Sequence, residues 1–524
     1  MLKPALFTTL LAGSATLAAS AQQHQHGTPE TVGAVDFPVA CNAAAQASMN
    51  RAVAMLHSFW FPEARKTFES AAAADPTCGV AWWGVALTHF GNPMAGGNGP
   101  EQQALGWQAV EKGLAAGGTH PRDRAWIEAA AALFRDYDKV GNRERMKRFE
   151  TAMQRIVEQY PQDREPKIFH AIYVVANASP SDLSFARQKD AASLLNAMFI
   201  EQPQHPGLAH YIIHALDAPP LAANALDAAR RYAAIAPAAP HALHMPSHIF
   251  TRLGYWDESI QTNRRSADLE PTPGGKAHPM DYMVYAYLQQ GRDDAAKAVL
   301  NELGTNPGGD YVAGTLSSWN ARAMPARYAL ERDAWAEAAA LPVADASPVN
   351  LAPTRFARAL GAARAGNTGA AKAEVAELAR LVETLKAANE TYWAHVVEAQ
   401  RQAVDAWVAH HEGRHADALR IARAAADLED QVEKHPVTPG PLIPARELLG
   451  DILMVHNDHA GALAAYEETL KREPNRFRTL LGAARAAKAA SRPELARKYY
   501  RELVDLLDPQ TQRPALAEAR ASTR

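Results

Sequence analysis

Apolar residues recur three and four positions apart along most of the chain, and short breaks of Gly, Pro, Asn or Asp interrupt them. That period is the stripe of an amphipathic helix, and the breaks are turns between one helix and the next. The segment FPEARKTFESAAAADP is typical. It places Ala64, Phe68 and Ala71 on one face and closes on Pro76.

Small, aromatic, small, proline is the spacing of the second helix in a tetratricopeptide repeat, whose period is about 34 residues. DHAGALAAYEETLKREP repeats it with Ala462, Tyr466, Thr469 and Pro474, and RPELARKYYRELVDLLDP with Ala496, Tyr500 and Leu503. Weaker copies are GYWDESIQTNRRSADLEP (Ser259, Asn263, Ala267, Pro271), GRDDAAKAVLNELGTNP (Ala296) and GRHADALRIARAAADLED (Ala418, Ala422). One such hairpin cannot bury its apolar face alone, so neighbours must stack. The expected fold is all-α, a TPR-type α-solenoid of antiparallel helix hairpins.

The expected organisation follows. Residues 1–21 form a signal peptide, 22–39 a flexible segment, 40–98 the N-terminal repeats and 99–200 a helical region of degenerate repeats. The central His-rich repeats span 201–307, and helical, repeat-like chain spans 308–434. HPVTPGPLIP, residues 435–444, is too rich in Pro and Gly for a helix and reads as a linker. The C-terminal repeats (445–510) and a tail (511–524) complete the chain.

Composition agrees with a helical array. The 524 residues exceed what one core supports, and 48% are hydrophobic but only 7% aromatic, in an Ala-dense sequence. With 54 Lys and Arg against 57 Asp and Glu, no excess of positive charge invites nucleic acid or an acidic membrane surface. The first residues, MLKPALFTTLLAGSATLAASA, carry Lys3, a short apolar run and the ending Ala19, Ser20, Ala21, the layout of a secretory signal cut after Ala21. No later stretch has the roughly 18 to 20 apolar residues of a spanning helix. The mature chain is therefore expected in a periplasmic or secreted setting. There an even count of two cysteines favours a Cys41 to Cys78 disulfide.

Two segments hold the candidate chemistry, HPGLAHYIIHALD and HALHMPSHIFTRLG. His210 and His214 fall at the fifth and ninth positions of one repeat's first helix, and His244 and His248 at the same positions of the next; 244 minus 210 and 248 minus 214 are both 34. Residues four apart share a helix face with Cβ atoms about 5 to 6 Å apart, close enough for two imidazoles to bind one metal. Asp217 adds a carboxylate, as ligand or as the partner that orients an imidazole. His205 and His241 stand in reserve at the mouths of the same helices. Pro246 suits only a first helical turn, so this helix should begin near His244, which then need not share the face of His248.

In the following repeat, His278 keeps the 34 spacing, but counting back from Gly291 puts Asp281 and Tyr285 in the groove instead, and that count is preferred. Arg252, His57 and His89 occupy late positions of their first helices, and Asn263 stands where a core aromatic is usual. The groove set is thus His210, His214, His244, His248, Arg252, Asp281 and Tyr285. The candidate metal set is His210, His214, Asp217, His244 and His248, for zinc or copper.

The strings HPGLAHYIIHALD, YAAIAPAAPHALHMPSHIFTRLGYWDESIQTN, MDYMVYAYLQQG, MPARYALERDAW, HPVTPGPLIPARELLGDIL, LHSFWFPEA and DPTCGVAWWGVA resemble a family of exported bacterial tetratricopeptide repeat proteins of uncharacterised function. The resemblance covers nearly the whole mature chain. It implies the fold and the export, and it supplies no catalytic residue. His170 stands where that family would have an aromatic residue.

Three functions fit these residues. The first is a scaffold that takes a peptide or a partner protein's segment in its His-rich concave groove. The second is a zinc- or copper-binding protein using the paired HxxxH motifs. The third is a metal-dependent enzyme on a small substrate, with Asp217 or Asp281 as base and Tyr285 or Arg252 stabilising charge. No phosphate loop or nucleophile elbow is present.

Overall fold

The computed structural model describes residues 31–116, 120–303, 316–344 and 346–523, with side chains from 319 onward in the third stretch. The expected signal peptide lies outside the described residues. Every regular element among those described is an α-helix or a short 3-10 turn, from Ala43–His57 to Pro514–Thr523. Each helix packs against its neighbours in the chain, including those within 99–200 and 308–389, where the repeat spacing is faint. The fold is an all-α, TPR-type solenoid of antiparallel hairpins.

The repeat signature is where the hairpins close. Ala64, Phe68 and Ala71 are fully buried on the Phe61–Ala74 helix. Tyr466 is held between two glycines of the helices on either side: a Cβ added at Gly450 or Gly482 would stand 2.6 or 2.5 Å from its ring. The aromatic fills the space that the missing side chains leave.

Two large cores, one from Val32 to Phe250 and one from Trp319 to Ala519, are bridged by a smaller one between Ala267 and Tyr328. The N-terminal core begins ahead of the first helix. Phe37 is fully buried and stacks on Trp83 at 5.3 Å, so the end of the segment expected to be flexible is packed down by its aromatic residue. Cys41 and Cys78 are joined as a disulfide across 37 positions, tying this segment to the start of the Gly79–Phe90 helix.

The solenoid folds back on itself. The Trp256 indole donates to Asn475 O at 3.0 Å, the Asp508 amide to Gln290 O at 2.9 Å, and Arg513 pairs with Asp293 at 2.6 Å. A buried ion network lies at this junction: Arg476 reaches Glu331 at 2.6 Å and Glu447 at 2.7 Å, and Arg478 reaches Glu447 at 2.8 Å. Charges this deep persist only because each carries several partners.

Residues 435–444 connect the His415–Glu429 and Ala445–Val455 helices as non-helical chain, yet Val437, Leu442 and Ile443 are buried and belong to the C-terminal core. The segment is a strap whose backbone carbonyls are met by Tyr282, Asn320 and Arg327 from two helices. No helix among the described residues is long and apolar enough to cross a membrane.

Candidate metal centre

Three neighbouring inner helices carry the histidines. Pro206–Leu216 opens with Pro206 at its first turn and His205 as cap, whose Nδ1 accepts the Leu208 amide at 3.3 Å, and every residue of this helix is buried. The second segment starts at Pro240, a full turn earlier than expected, as Pro240–His244 followed by Pro246–Arg252. Met245 between them keeps right-handed helical dihedrals (φ −53°, ψ −36°), so Pro246 interrupts the hydrogen-bond ladder without turning the chain. His244 and His248 therefore share one face, with Nε2 atoms 3.0 Å apart.

The third helix, Pro273–Gln289, is capped by the Thr272 hydroxyl and runs unbroken through Pro279. This length overturns the register preferred from Gly291. The early turns reach the histidine helices, so His278 faces them, its ring 4.3 Å from that of His244. Asp281 instead pairs with Arg327 at 3.0 Å and accepts from Asn320 at 3.1 Å. Tyr285 accepts from Arg476 at 3.2 Å. Both are buried, and Asp281 reaches the histidine cavity only through Asn320, which lines it.

Six histidines thus form two sets of three: His210, His214 and His241; and His244, His248 and His278. Within each set, one ligand atom per residue lies within 4.8 Å of the other two. The sets adjoin, with the His214 and His248 rings 6.0 Å apart, as are those of His241 and His244.

Hydrogen bonding fixes which nitrogen is free. His210 Nδ1 donates to His57 O at 2.6 Å and His248 Nδ1 to Asp217 Oδ2 at 2.8 Å. His244 Nδ1 meets Asn263 Oδ1 at 2.6 Å, and the Asn263 amide nitrogen donates to Ser259 O at 2.7 Å, which orients that side chain. All three partners are oxygen acceptors, so each ring carries its proton on Nδ1. Burial, above all, drives His210 and His244 well below the ordinary imidazole range and lowers His248 as well, so the rings are neutral. The lone pairs on Nε2 of His244 and His248 then face each other. His214 is buried with no hydrogen-bond partner on either ring nitrogen, and His278 has none on Nδ1.

Asp217 stands behind the histidines. Burial opposes its ionisation, but Lys434 and Arg252 hold its carboxyl well below the usual range. Arg252 Nε meets Oδ1 at 2.8 Å and Lys434 Nζ meets Oδ2 at 3.3 Å, while Oδ2 also receives His248. The carboxylate thereby orients an imidazole, the alternative to direct ligation. Asn263 performs the same task for His244.

The strap lies beside the histidines. Arg252 reaches Glu433 at 2.6 Å, Asn320 donates to Val437 O at 2.8 Å, and Arg327 donates to Pro441 O at 2.9 Å. Tyr282 Oη lies 3.2 Å from the carbonyls of Pro436 and Thr438. Arg252, one of the expected groove residues, thus meets a side chain beside the strap, while Asn320, Arg327 and Tyr282 meet its backbone carbonyls. A cavity of about 180 Å³ remains between strap and histidines, walled by His214, His241, His248 and His278. Lys434, Glu433, Tyr282 and His435 were not singled out as site residues from the sequence; only the 34-residue step from His244 to His278 pointed toward that helix.

Two further clusters differ in character. His57 and His205 share the Glu165 carboxylate at 2.9 and 2.8 Å, and His57 Nδ1 meets Tyr211 Oη at 2.9 Å, a saturated polar core. His57 supports the centre through its carbonyl. His410, His415 and His456 form a partly exposed group in the C-terminal half. His89 pairs with Gln102 at 2.9 Å.

No family model and no curated protein matches the chain. Among solved structures it resembles a Naa15/Naa10 complex bound to HypK-THB, with 14% identity over 92% of this chain and 73% of that one and a TM-score of 0.24. It also resembles yeast Tom70, with 10% identity over 91% of this chain and 95% of that one and a TM-score of 0.29. Scores this low carry no functional argument. The class rests on the hairpin packing: a helical repeat protein.

Proposed function

We propose that this chain is a transition-metal-binding repeat protein that holds zinc or copper on the two three-histidine sets. The observation that carries the proposal is the pair of Nε2 atoms 3.0 Å apart on His244 and His248, both with their Nδ1 protons committed elsewhere. Neutral imidazoles with oriented partners suit zinc and copper and suit calcium poorly. The disulfide and the N-terminal sequence support an oxidising, exported setting, where thiolate sites are disfavoured and imidazole sites are not.

The test is elemental mass spectrometry on the untagged mature chain beside a His210→Ala, His248→Ala double variant, which removes one ligand from each set. Near-stoichiometric metal in the parent and its loss in a folded variant is the expected result. A parent that stays metal-free with excess zinc or copper overturns the proposal.

A scaffold for a protein partner is the second reading, supported by the stacked hairpins themselves. Asp217 and Asp281, considered above as bases for an enzyme, are both engaged by cationic side chains.

A further inference from the structure

The cavity beside the histidines belongs to neither set alone. Its walls take His214 and His241 from the first set and His248 and His278 from the second. Four imidazoles from two adjoining three-nitrogen sets therefore border one space. A three-ligand site leaves a coordination position for an exogenous group. Here the open positions of both sets have the same cavity to face.

Charge decides what would fill it. Histidine ligates a metal as the neutral imidazole, so two divalent ions bring four positive charges that the ligands do not offset. Asp217 is already matched by Arg252 and Lys434. Asp281 is matched by Arg327. An uncompensated cationic pair in a buried site draws an anion. At roughly 30 Å³ per water, a cavity of about 180 Å³ has room for about half a dozen waters. Size limits the anion to a few heavy atoms. A second cavity of about 180 Å³ adjoins the first, shares His214, His435 and Pro436 with it, and carries Arg143 and Lys434 beside Asp217 and Glu433.

We infer that the two histidine sets form one coupled dinuclear centre that binds a single small anion, such as hydroxide or azide, between its metals. The inference rests on the metal-binding proposal above. No covalent step within the ligand is involved: a water or hydroxide on the metals is exchanged for the added anion.

Copper and azide probe it directly. The intact chain is loaded with Cu(II) under anaerobic conditions, copper content and spin intensity are compared, and azide is titrated while its charge-transfer absorption is followed. The expected result is two coppers per chain, a resonance signal weaker than the copper content or visibly split, and one azide per copper pair. Variants lacking one set (His210→Asn with His241→Asn, or His244→Asn with His248→Asn) should hold one copper with full, unsplit spin intensity. They should bind azide at least ~10-fold more weakly, since the second metal–azide bond no longer forms within the complex. Two coppers with full, unsplit signals and one azide each would overturn the shared site while leaving metal binding intact. A chain that takes up no copper overturns both. Should the variants not fold, spin intensity and azide stoichiometry of the intact chain decide the matter alone.

Discussion

His244 and His248 point Nε2 at Nε2 across 3.0 Å while Asn263 and Asp217 take their Nδ1 protons. Two unprotonated nitrogens at that distance repel. The helix around Pro246 nevertheless holds them together, so its packing maintains a geometry that a bound cation would relieve. Removing metal with a chelator should accordingly lower the melting temperature of the native chain. Metal at a hundred times its dissociation constant is worth about 2.7 kcal/mol. An unchanged melt after complete metal removal would contradict this.

Asp217→Asn keeps the shape of the side chain but withdraws the charge that orients His248. Metal affinity should fall 10- to 100-fold, the usual consequence of losing such a partner. Competition with a chromophoric chelator measures it. Equal affinity in the variant would mean that Asp217 serves only Arg252 and Lys434.

Tyr282→Phe removes the hydroxyl that meets the Pro436 and Thr438 carbonyls under the strap. A buried hydrogen bond of this kind contributes about 1 kcal/mol, so global stability should drop only slightly. Amide hydrogen exchange across 435–440 should accelerate more than exchange elsewhere. Uniform acceleration would show that the strap does not open locally.

Glu447 dominates the acid response of the C-terminal half. Burial pushes its pKa up, but Arg476 and Arg478 more than reverse this and hold it at about 2, against an ordinary 4.5. A depressed carboxylate contributes stability above pH 4.5 and loses it as pH falls toward 2, on the order of 3 kcal/mol in total. Glu447→Gln leaves two buried guanidiniums short of charge and should cost roughly 3 to 5 kcal/mol at neutral pH. Urea melts between pH 2 and 7 check both: the two proteins should converge as the pH falls. Parallel curves would reassign the acid transition to other carboxylates.

Reducing the Cys41–Cys78 bond, or replacing both residues with Ser, should destabilise the N-terminal core. For the 37-residue separation, chain entropy gives about 4 kcal/mol. Phe37 should lose its burial first, which tryptophan fluorescence would register through its stacking on Trp83. A spectrum unchanged by reduction would place the anchoring of this segment in Phe37 alone.

Periodicity suffices to read the all-α hairpin array, because a 3.6-residue stripe and a small, aromatic, small, proline spacing are local properties of the chain. The His210/His214 and His244/His248 pairs are legible for the same reason: residues four apart on a helix are neighbours whatever surrounds them. Which third histidine joins each pair is not local. His241 joins the first pair from beyond the intervening Leu226–Ile235 helix. His278 joins the second only because Pro273–Gln289 continues through Pro279 instead of restarting there. Turn residues such as Gly291 give no measure of that length.

The strap marks the other limit of a sequence reading. HPVTPGPLIP declares itself non-helical through its prolines, and nothing in its composition says where it lies. Its position follows from donors far away in sequence, Asn320 and Arg327 among them. The sequence by itself therefore determined the helices, their pairing and the two HxxxH pairs, since each depends on residues a few positions apart. Tertiary structure alone decided which third histidine joins each pair, the partners that fix the tautomers of His210, His244 and His248, and the place of the strap, since these depend on how distant helices stack.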